Sequence, residues 1–212
     1  MLLVSGEAEE TDAHLRSRFK AALGGSATET EDAIVGAISQ VSNVLEVVIH
    51  ENDTDKSLTL DAGVTLPPHS FMAVVRYDGE ADTAQEIAAA ILEKKPLGIQ
   101  AYGLNTYSVT DSIGVVHAIG FTTAEQRNCT VTITATNSIT EKERLALLED
   151  LQSYVSENYG IASTIYALSM HTIVANSGYF TNIIDITIDG NSVVMASEIQ
   201  YLYISELEIV VQ

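Results

Sequence analysis

Helix-start signals that alternate with short β-branched segments constrain the fold of this chain more than any other feature. The pattern T-x-x-E lets a threonine and a glutamate cap the first turn of a helix reciprocally. It occurs three times, as Thr28…Glu31, Thr83…Glu86 and Thr140…Glu143. Apolar residues at helical spacing follow each occurrence, which predicts helices over about 28–42, 83–94 and 140–158. A fourth helix is predicted over about 11–23, where an amphipathic stretch ends at two glycines.

Strand signals lie between these helices. Seven segments are predicted as strands, at 44–49, 71–75, 104–109, 115–121, 130–134, 185–189 and 204–211. The run Phe71–Val75 is predicted to be buried and to face the helix 83–94 through Ile87 and Ile91. Strands mixed with helices, several of them joined by short turns, predict an α+β fold of two small α/β-sandwich domains with mixed, partly antiparallel sheets.

The domain boundary is predicted from length and polarity. The 212 residues suffice for two domains of about 100 residues, each with its own core. A polar stretch at 122–127 separates two predicted strands. We therefore expect a first α+β domain at 1–124 and a C-terminal α+β domain at 125–212.

The charge of the chain disfavours two classes of partner. Ten Lys and Arg residues against 29 Asp and Glu residues give a formal net charge of −19. Because nucleic acids and anionic lipid surfaces attract basic proteins, we expect binding to neither nucleic acid nor membrane. Copies of the chain should also repel one another, so weak self-association is expected for the isolated protein.

The acidic segment Glu51–Asp55, together with Asp61, is the densest carboxylate cluster. It resembles a calcium loop at first sight, but an EF-hand needs glycine at position 6 and glutamate at position 12. Counted from Asp53, those positions hold Leu58 and Val64. The segment is therefore interpreted as a solvated loop between two strands.

Other reactive residues are scattered. The five histidines are His14, His50, His69, His117 and His171, and no two have the spacing of a metal-binding pair. Cys129 lies in an alternating strand pattern with no histidine nearby in sequence, so a buried, inert thiol is expected. Asn128–Thr130 matches a glycosylation acceptor, and no phosphate-binding loop or nucleophile elbow is present. The residues thus predict no enzyme, no catalytic or metal-binding residue and no cofactor.

One series of short motifs indicates a protein family more specifically than the amino-acid composition does. Its members are Glu51–Asp55 (EN-x-TD), Leu66–Ser70 (LPPHS), Gln85–Ile91 (QEIA-x-AI), Lys94–Ile99 (KKP-x-GI) and Tyr102–Gly103, preceded by Glu10–Arg18. In this order they resemble the baseplate J-like family of contractile-tailed, Mu-like phages. The resemblance is dense over about 10–121 and looser over 126–212. The motifs consist largely of turn-forming and apolar residues, which suits a structural part.

The resemblance implies a structural component of a phage tail baseplate wedge. Such a part links hub, sheath and tail-fibre proteins and rearranges when the tail contracts, so its partners are other baseplate and tail proteins. Its location is the tail baseplate of the virion, with the host cytoplasm as the place of assembly. Members of the family carry a further domain before the motif at 10–18, and the resemblance implies that this domain is missing here.

Two alternative functions remain open from the sequence. The first is the equivalent baseplate part of a contractile injection system, which the same motifs would fit. The second, in a different class, is an acidic metal-binding or hydrolase domain built on the cluster at 51–61.

Overall fold

The structure is a computed structural model and describes residues 30–79 and 81–212. The helix predicted over 11–23 and the cap predicted at Thr28 lie outside the described residues. Within them the chain forms four α-helices and twelve strands in mixed sheets. The predicted α+β fold class is confirmed.

The elements follow one another with short connections. The α-helices are α1 (Glu31–Ser39), α2 (Ala81–Lys94), α3 (Glu141–Asn158) and α4 (His171–Asn176), the last preceded by a 3₁₀ turn at Ala167–Met170. The first six strands are β1 (Val44–Asn52), β2 (Leu58–Thr59), β3 (Thr65–Leu66), β4 (Ser70–Tyr77), β5 (Gln100–Tyr102) and β6 (Asn105–Thr110). The other six are β7 (Val116–Thr123), β8 (Glu125–Ala135), β9 (Thr164–Tyr166), β10 (Ile183–Ile188), β11 (Val193–Met195) and β12 (Gln200–Val211).

The chain divides into two compact units. The first contains the described part of Met1–Glu51 together with His69–Phe121, and the second contains Asn52–Pro68 together with Thr122–Gln212. Asn52–Pro68 had been predicted to belong to the first domain. It belongs with the second unit by its contacts, among which the Glu198 carboxylate accepts the backbone N–H of Asp61 at 3.0 Å across 137 residues of sequence. No local spacing reveals such a contact.

The division between the two units, after Phe121, falls at the start of the polar stretch 122–127 where the boundary was expected. β7 continues to Thr123 and β8 begins at Glu125, so a single residue separates the two strands. Thr122 is buried in spite of its polar side chain. Polarity marked the region, but the strands continue through it because half of a strand's side chains can face water.

The first unit is a five-stranded sheet with two helices packed on it. The strand order is β1-β4-β7-β6, and β5 adds to β4 in parallel. β6 and β7 form an antiparallel hairpin. The core contains Ile34, Ile38, Phe71, Ala73, Val75, Ile87, Ile91 and Phe121, which come from α1, β4, α2 and β7.

The prediction that the buried strand β4 faces the helix 83–94 holds for only one of its two faces. Phe71–Val75 is buried throughout, as predicted, and Phe71, Ala73 and Val75 share a core with Ile87 and Ile91. Met72 and Val74 are equally buried but do not belong to that core. Since alternate side chains of a strand point to opposite faces, β4 is covered on both faces and only one of them meets α2.

The second unit is a three-stranded sheet of order β10-β8-β12 covered by α3. β10 runs antiparallel and β12 parallel to the central β8. Leu147, Leu151 and Val155 of α3 pack in one core with Val131 and Ile133 of β8. Two smaller ribbons, β9–β11 and β2–β3, complete the described part of this unit.

The three predicted capping boxes have different outcomes. The box at Thr140 and Glu143 is present in full, with the Glu143 carboxylate accepting the Thr140 N–H at 2.8 Å. α1 is capped by Thr30, whose hydroxyl accepts the N–H of Ala33, and the threonine of the predicted box at Thr28 lies outside the described residues. α2 begins at Ala81, so Thr83 lies inside the helix, where its side chain packs against the backbone of Gly79.

Candidate functional site

The acidic segment at 51–55 is organised by one buried asparagine. Asn52 is 1% exposed, and its Nδ2 lies 2.8 Å from the carbonyl oxygens of Lys56 and Pro67 and 3.2 Å from that of Leu66. Its Oδ1 accepts the Thr54 N–H at 3.2 Å and the Thr54 hydroxyl at 2.7 Å. The amide therefore ties together both ends of the segment 52–67, which we call the motif loop, and its donors and acceptor are all in use.

The carboxylates of the same segment lie outside this network. Glu51, Asp53, Asp55 and Asp61 are all exposed. Among the residues that the structure describes, no group of three or more His, Cys, Asp or Glu side chains could hold a metal ion. The role of Asn52 was missed in the sequence, where the only sign of it was the Asn-x-Thr pattern of an Asx turn.

The remaining motifs of the resemblance shape the backbone. His69, after the two prolines, has φ of 51°, and its carbonyl accepts the N–H of Gln100, so the chain turns directly into β4. After α2, Lys95 Nζ donates to the carbonyl of Ile99 at 3.0 Å, and Gly98 adopts φ of 82°. Both features close turns and leave no group positioned for chemistry.

Gly103 also has a structural role, because it allows two backbone segments to pack closely. A Cβ at this position would lie 2.3 Å from the backbone of Phe121 in β7. Since real Cβ atoms do not approach a backbone so closely, glycine alone lets the two chain segments meet here. The tyrosine–glycine motif is thus explained by packing.

Cys129 is buried, and burial is the main reason why its pKa is raised to about 11, with a further contribution from Asp189. At neutral pH it is a thiol and a poor nucleophile, as the sequence suggested. The described histidines are dispersed over both units, with His50 in β1, His69 just before β4, His117 in β7 and His171 in α4. His14 lies outside the described residues, and Asn128 of the glycosylation pattern is exposed on β8.

The hairpin between β6 and β7 ends in an ordered apolar tip. Asp111 Oδ1 accepts the N–H groups of Ile113 and Val115 at 3.0 and 2.9 Å, and its Oδ2 lies 2.9 Å from His117 Nε2. These hydrogen bonds, that of His117 first, lower the pKa of Asp111. The tip exposes Ile113 to 82% and Val116 to 64%, and Val115 between them is also exposed, so three aliphatic side chains face water together.

A groove of about 420 Å³ lies in the second unit between the diverging strands β10 and β11. Its walls include Leu168, Ile184 and Val193, with His171, Asp185 and Ser192 as polar members. Leu168 is 79% exposed and Ile184 53%. The sequence gives no sign of this groove, because it forms where β10 and β11 separate beyond the bridge between Ile188 and Asn191.

Comparisons with known proteins add no family to this description. No model of a known protein family matches the chain, and no curated protein matches it either. Among the described residues, none of the helices is both long enough and apolar enough to span a lipid bilayer.

Proposed function

We propose that this chain is a structural, non-enzymatic component of a contractile-tail baseplate, placed in the wedge that links hub, sheath and tail-fibre proteins. The observation that carries the proposal is the ordered series of motifs between residues 51 and 103, together with what their residues do. Asn52 holds a loop together, Lys95 closes a turn, and Gly103 permits a close approach of two segments. Motifs of this kind preserve a shape, and a preserved shape is what a repeated part of an assembly requires.

Two compact units also suit a part that changes its neighbours. Tail contraction is a transition between arrangements of rigid bodies, which needs bodies that keep their own cores while their surfaces exchange partners. Each unit has a separate apolar core. The hairpin tip at 111–116 and the groove between β10 and β11 are exposed apolar surfaces of the sort that such exchanges use.

Deletion of the gene in the genome that encodes this chain tests the proposal. We expect lysates of the deletion strain to contain DNA-filled heads and no complete contractile tails in negative-stain electron micrographs. A plasmid copy carrying the neutral control Asn128→Asp should restore the tails, whereas Asn52→Asp should not, because it disrupts the motif loop. Complete, infectious particles in the deletion strain would overturn the proposal.

The same deletion experiment distinguishes a phage tail from a contractile injection system. If the chain belongs to a contractile injection system, sheathed tubes without heads should disappear on deletion, and no capsids should be present in either strain. Peptide mass spectrometry of purified tails or tubes should then find the chain in the baseplate fraction.

A further inference from the structure

The outer edge of β12 is the longest sheet edge of the second unit. β12 has twelve residues and, among the strands of the described chain, pairs with β8 alone. Hydrogen bonds at both ends of the β8–β12 pair show which residues of β12 direct their backbone groups toward β8. The carbonyl of Ile199 accepts the N–H of Glu125, and the N–H of Gln212 donates to the carbonyl of Ala135. In a parallel pair alternate residues of each strand face the partner. The backbone groups of Ile204, Leu207 and Ile209 therefore point away from β8.

Two of these outward carbonyls are occupied by side chains of α3. Gln152 Nε2 donates to the carbonyl of Ile204 at 2.8 Å, and Arg144 Nη1 donates to that of Leu207 at 3.2 Å. The eight-residue spacing of the donors spans about 12 Å of helix, and the three-residue spacing of the acceptors spans about 10 Å of strand. α3 thus lies along β12 so that its side chains reach the outer edge at two points.

A side chain can leave such a carbonyl more easily than a paired strand can. Arg144 is held by the Glu141 carboxylate through bonds of 2.8 and 2.6 Å, so its charge stays compensated when the bond to Leu207 is broken. Gln152 is uncharged and can turn to water. The two acceptors are therefore protected against accidental strand pairing but remain available to a strand that binds them.

The charges beside the edge indicate which kind of strand fits. Glu206 and Glu208 of β12 are exposed and alternate with the buried Leu207, so their side chains leave the sheet on the face opposite the core. The Glu206 carboxylate also attracts Arg144 at the edge, so this part of the edge already favours a cation. A strand that continues the sheet would place alternate side chains beside these carboxylates and the others over the apolar side that contains Leu207 and Ile209. A second copy of this chain, with a net charge of −19, is a poor source of such a strand.

We propose that the outer edge of β12 is the acceptor for an added β-strand, supplied by an extended segment of an unlike neighbour in which basic and aliphatic residues alternate. Arg144 and Gln152 are the side chains that this strand displaces. Main-chain hydrogen bonds would supply affinity and the carboxylates of Glu206 and Glu208 specificity. The inference rests on the proposed function only for the statement that the neighbour is another baseplate protein.

A nine-residue peptide of alternating lysine and valine is the probe, added to the full purified chain. We expect hydrogen–deuterium exchange followed by NMR to slow at the amides of Leu207 and Ile209. A peptide with glutamate in place of lysine should bind at least about tenfold more weakly at low salt, and raising the salt to about 0.5 M should reduce this difference several-fold. Peptide binding without a change at these two amides would overturn the proposal.

Methylated peptides separate backbone pairing from attraction between charges. One version carries N-methyl groups on its valines and the other on its lysines, and both keep the charge of the parent peptide. Because an added strand presents alternate amides to β12, we expect one version to lose binding and the other to keep it. If both bind as the parent does, backbone pairing is excluded.

Variants of the displaced side chains complete the test. Gln152→Ala should tighten peptide binding about threefold, because the carbonyl of Ile204 no longer has a competing donor. The matched control is Gln85→Ala, which removes a similar bond from Gln85 to the carbonyl of Ser108 in the first unit and should leave peptide binding unchanged. Weaker binding by Gln152→Ala would show that this glutamine is part of the binding surface and would refute displacement.

The free chain supplies the last control. Protection of the Leu207 and Ile209 amides that increases with protein concentration would mean that a second copy occupies the edge. Protection that is independent of concentration would mean that the chain covers its own edge. Either result overturns the proposal of an unlike neighbour, and neither depends on whether the chain is found in a tail.

Discussion

The two units protect their sheet edges by the same means but to different extents. In the first unit Gln85 of α2 donates to the carbonyl of Ser108, an outward-facing residue of the six-residue edge strand β6. In the second unit Gln152 and Arg144 of α3 protect the twelve-residue strand β12. The edge of β6 has one such bond over six residues, whereas the edge of β12 has two from α3 and a third where the N–H of Ala162 donates to the carbonyl of Gln200 at 2.9 Å. Both edges keep outward backbone groups between these bonds, and the longer strand keeps more of them. The comparison shows why a packed helix does more than bury apolar surface, since its polar side chains also limit which strands can join the sheet.

The units also differ in how their central strands are covered. β4 of the first unit is buried on both faces, whereas β8 of the second alternates between buried aliphatic residues and partly exposed threonines. A strand buried on both faces reads as a continuous apolar run, and a strand buried on one face alternates with period two. The sequence shows this difference directly in the segments 71–75 and 130–134.

The largest expected effect tests whether the two cores are independent. Leu151 and Ile91 are fully buried in the second and first cores, respectively. Leu151→Asp and Ile91→Asp should each destabilise the affected unit by about 4 kcal/mol or more, because each buries an unpaired carboxylate. Hydrogen exchange should show lost protection in the mutated unit and retained protection in the other. Loss of protection in both units from either substitution would show that they fold as one.

A smaller effect tests whether Asn52 holds the segment Asn52–Pro68 of the second unit together. Asn52→Asp replaces an amide donor by a carboxylate that faces three carbonyl oxygens, so we expect a loss of about 3 kcal/mol in the stability of this segment. Asn128→Asp makes the same change of charge at an exposed site and is the control. In urea unfolding, equal midpoints for the two variants would contradict the structural role of Asn52.

The smallest expected effect concerns the cap of α3. Hydrogen bonds from Thr140 lower the pKa of Glu143 below its usual value of 4.5, so the ionised carboxylate favours the folded state. This contribution is fully present above the unfolded-state pKa and is lost as the pH falls through the lower, folded-state value. Glu143→Gln can still complete a capping box but has no charge to lose.

The melting temperature of Glu143→Gln should therefore lie slightly below that of the parent chain at pH 7 and converge with it as the pH falls below about 4. The first unit offers the parallel case of Asp111→Asn, because Asp111 also has a lowered pKa. A difference between Glu143→Gln and the parent chain that stays constant from pH 7 to pH 3 would contradict the assigned role of the carboxylate.

Local sequence determined much of the fold. The period of apolar residues placed α1, α2, α3 and the longer strands, whereas the short helix α4 was not predicted. Within the described residues, the capping pattern marked the helix start at Thr140 but not at Thr83. The exact start of a helix depends on which residue finds a partner, and Thr83 lies inside α2 because the helix begins two residues earlier.

The short strands β2, β3, β5, β9 and β11 were not predicted, because two or three residues carry too little periodicity to be recognised. They exist because a partner strand is close by in the folded chain.

Tertiary structure alone decided which distant residues meet. The sequence identified Glu51–Asp55 as a distinctive segment, but only the fold shows that Asn52 reaches the carbonyl of Pro67 and that Glu198 anchors Asp61 and Ala62. The same holds for the bonds from Arg144 and Gln152 to β12, which join residues more than fifty positions apart. Periodicity encodes which face of an element is buried, whereas the identity of its neighbours follows from how the cores pack, and this is why the sheet edges and the groove could not be predicted from the sequence.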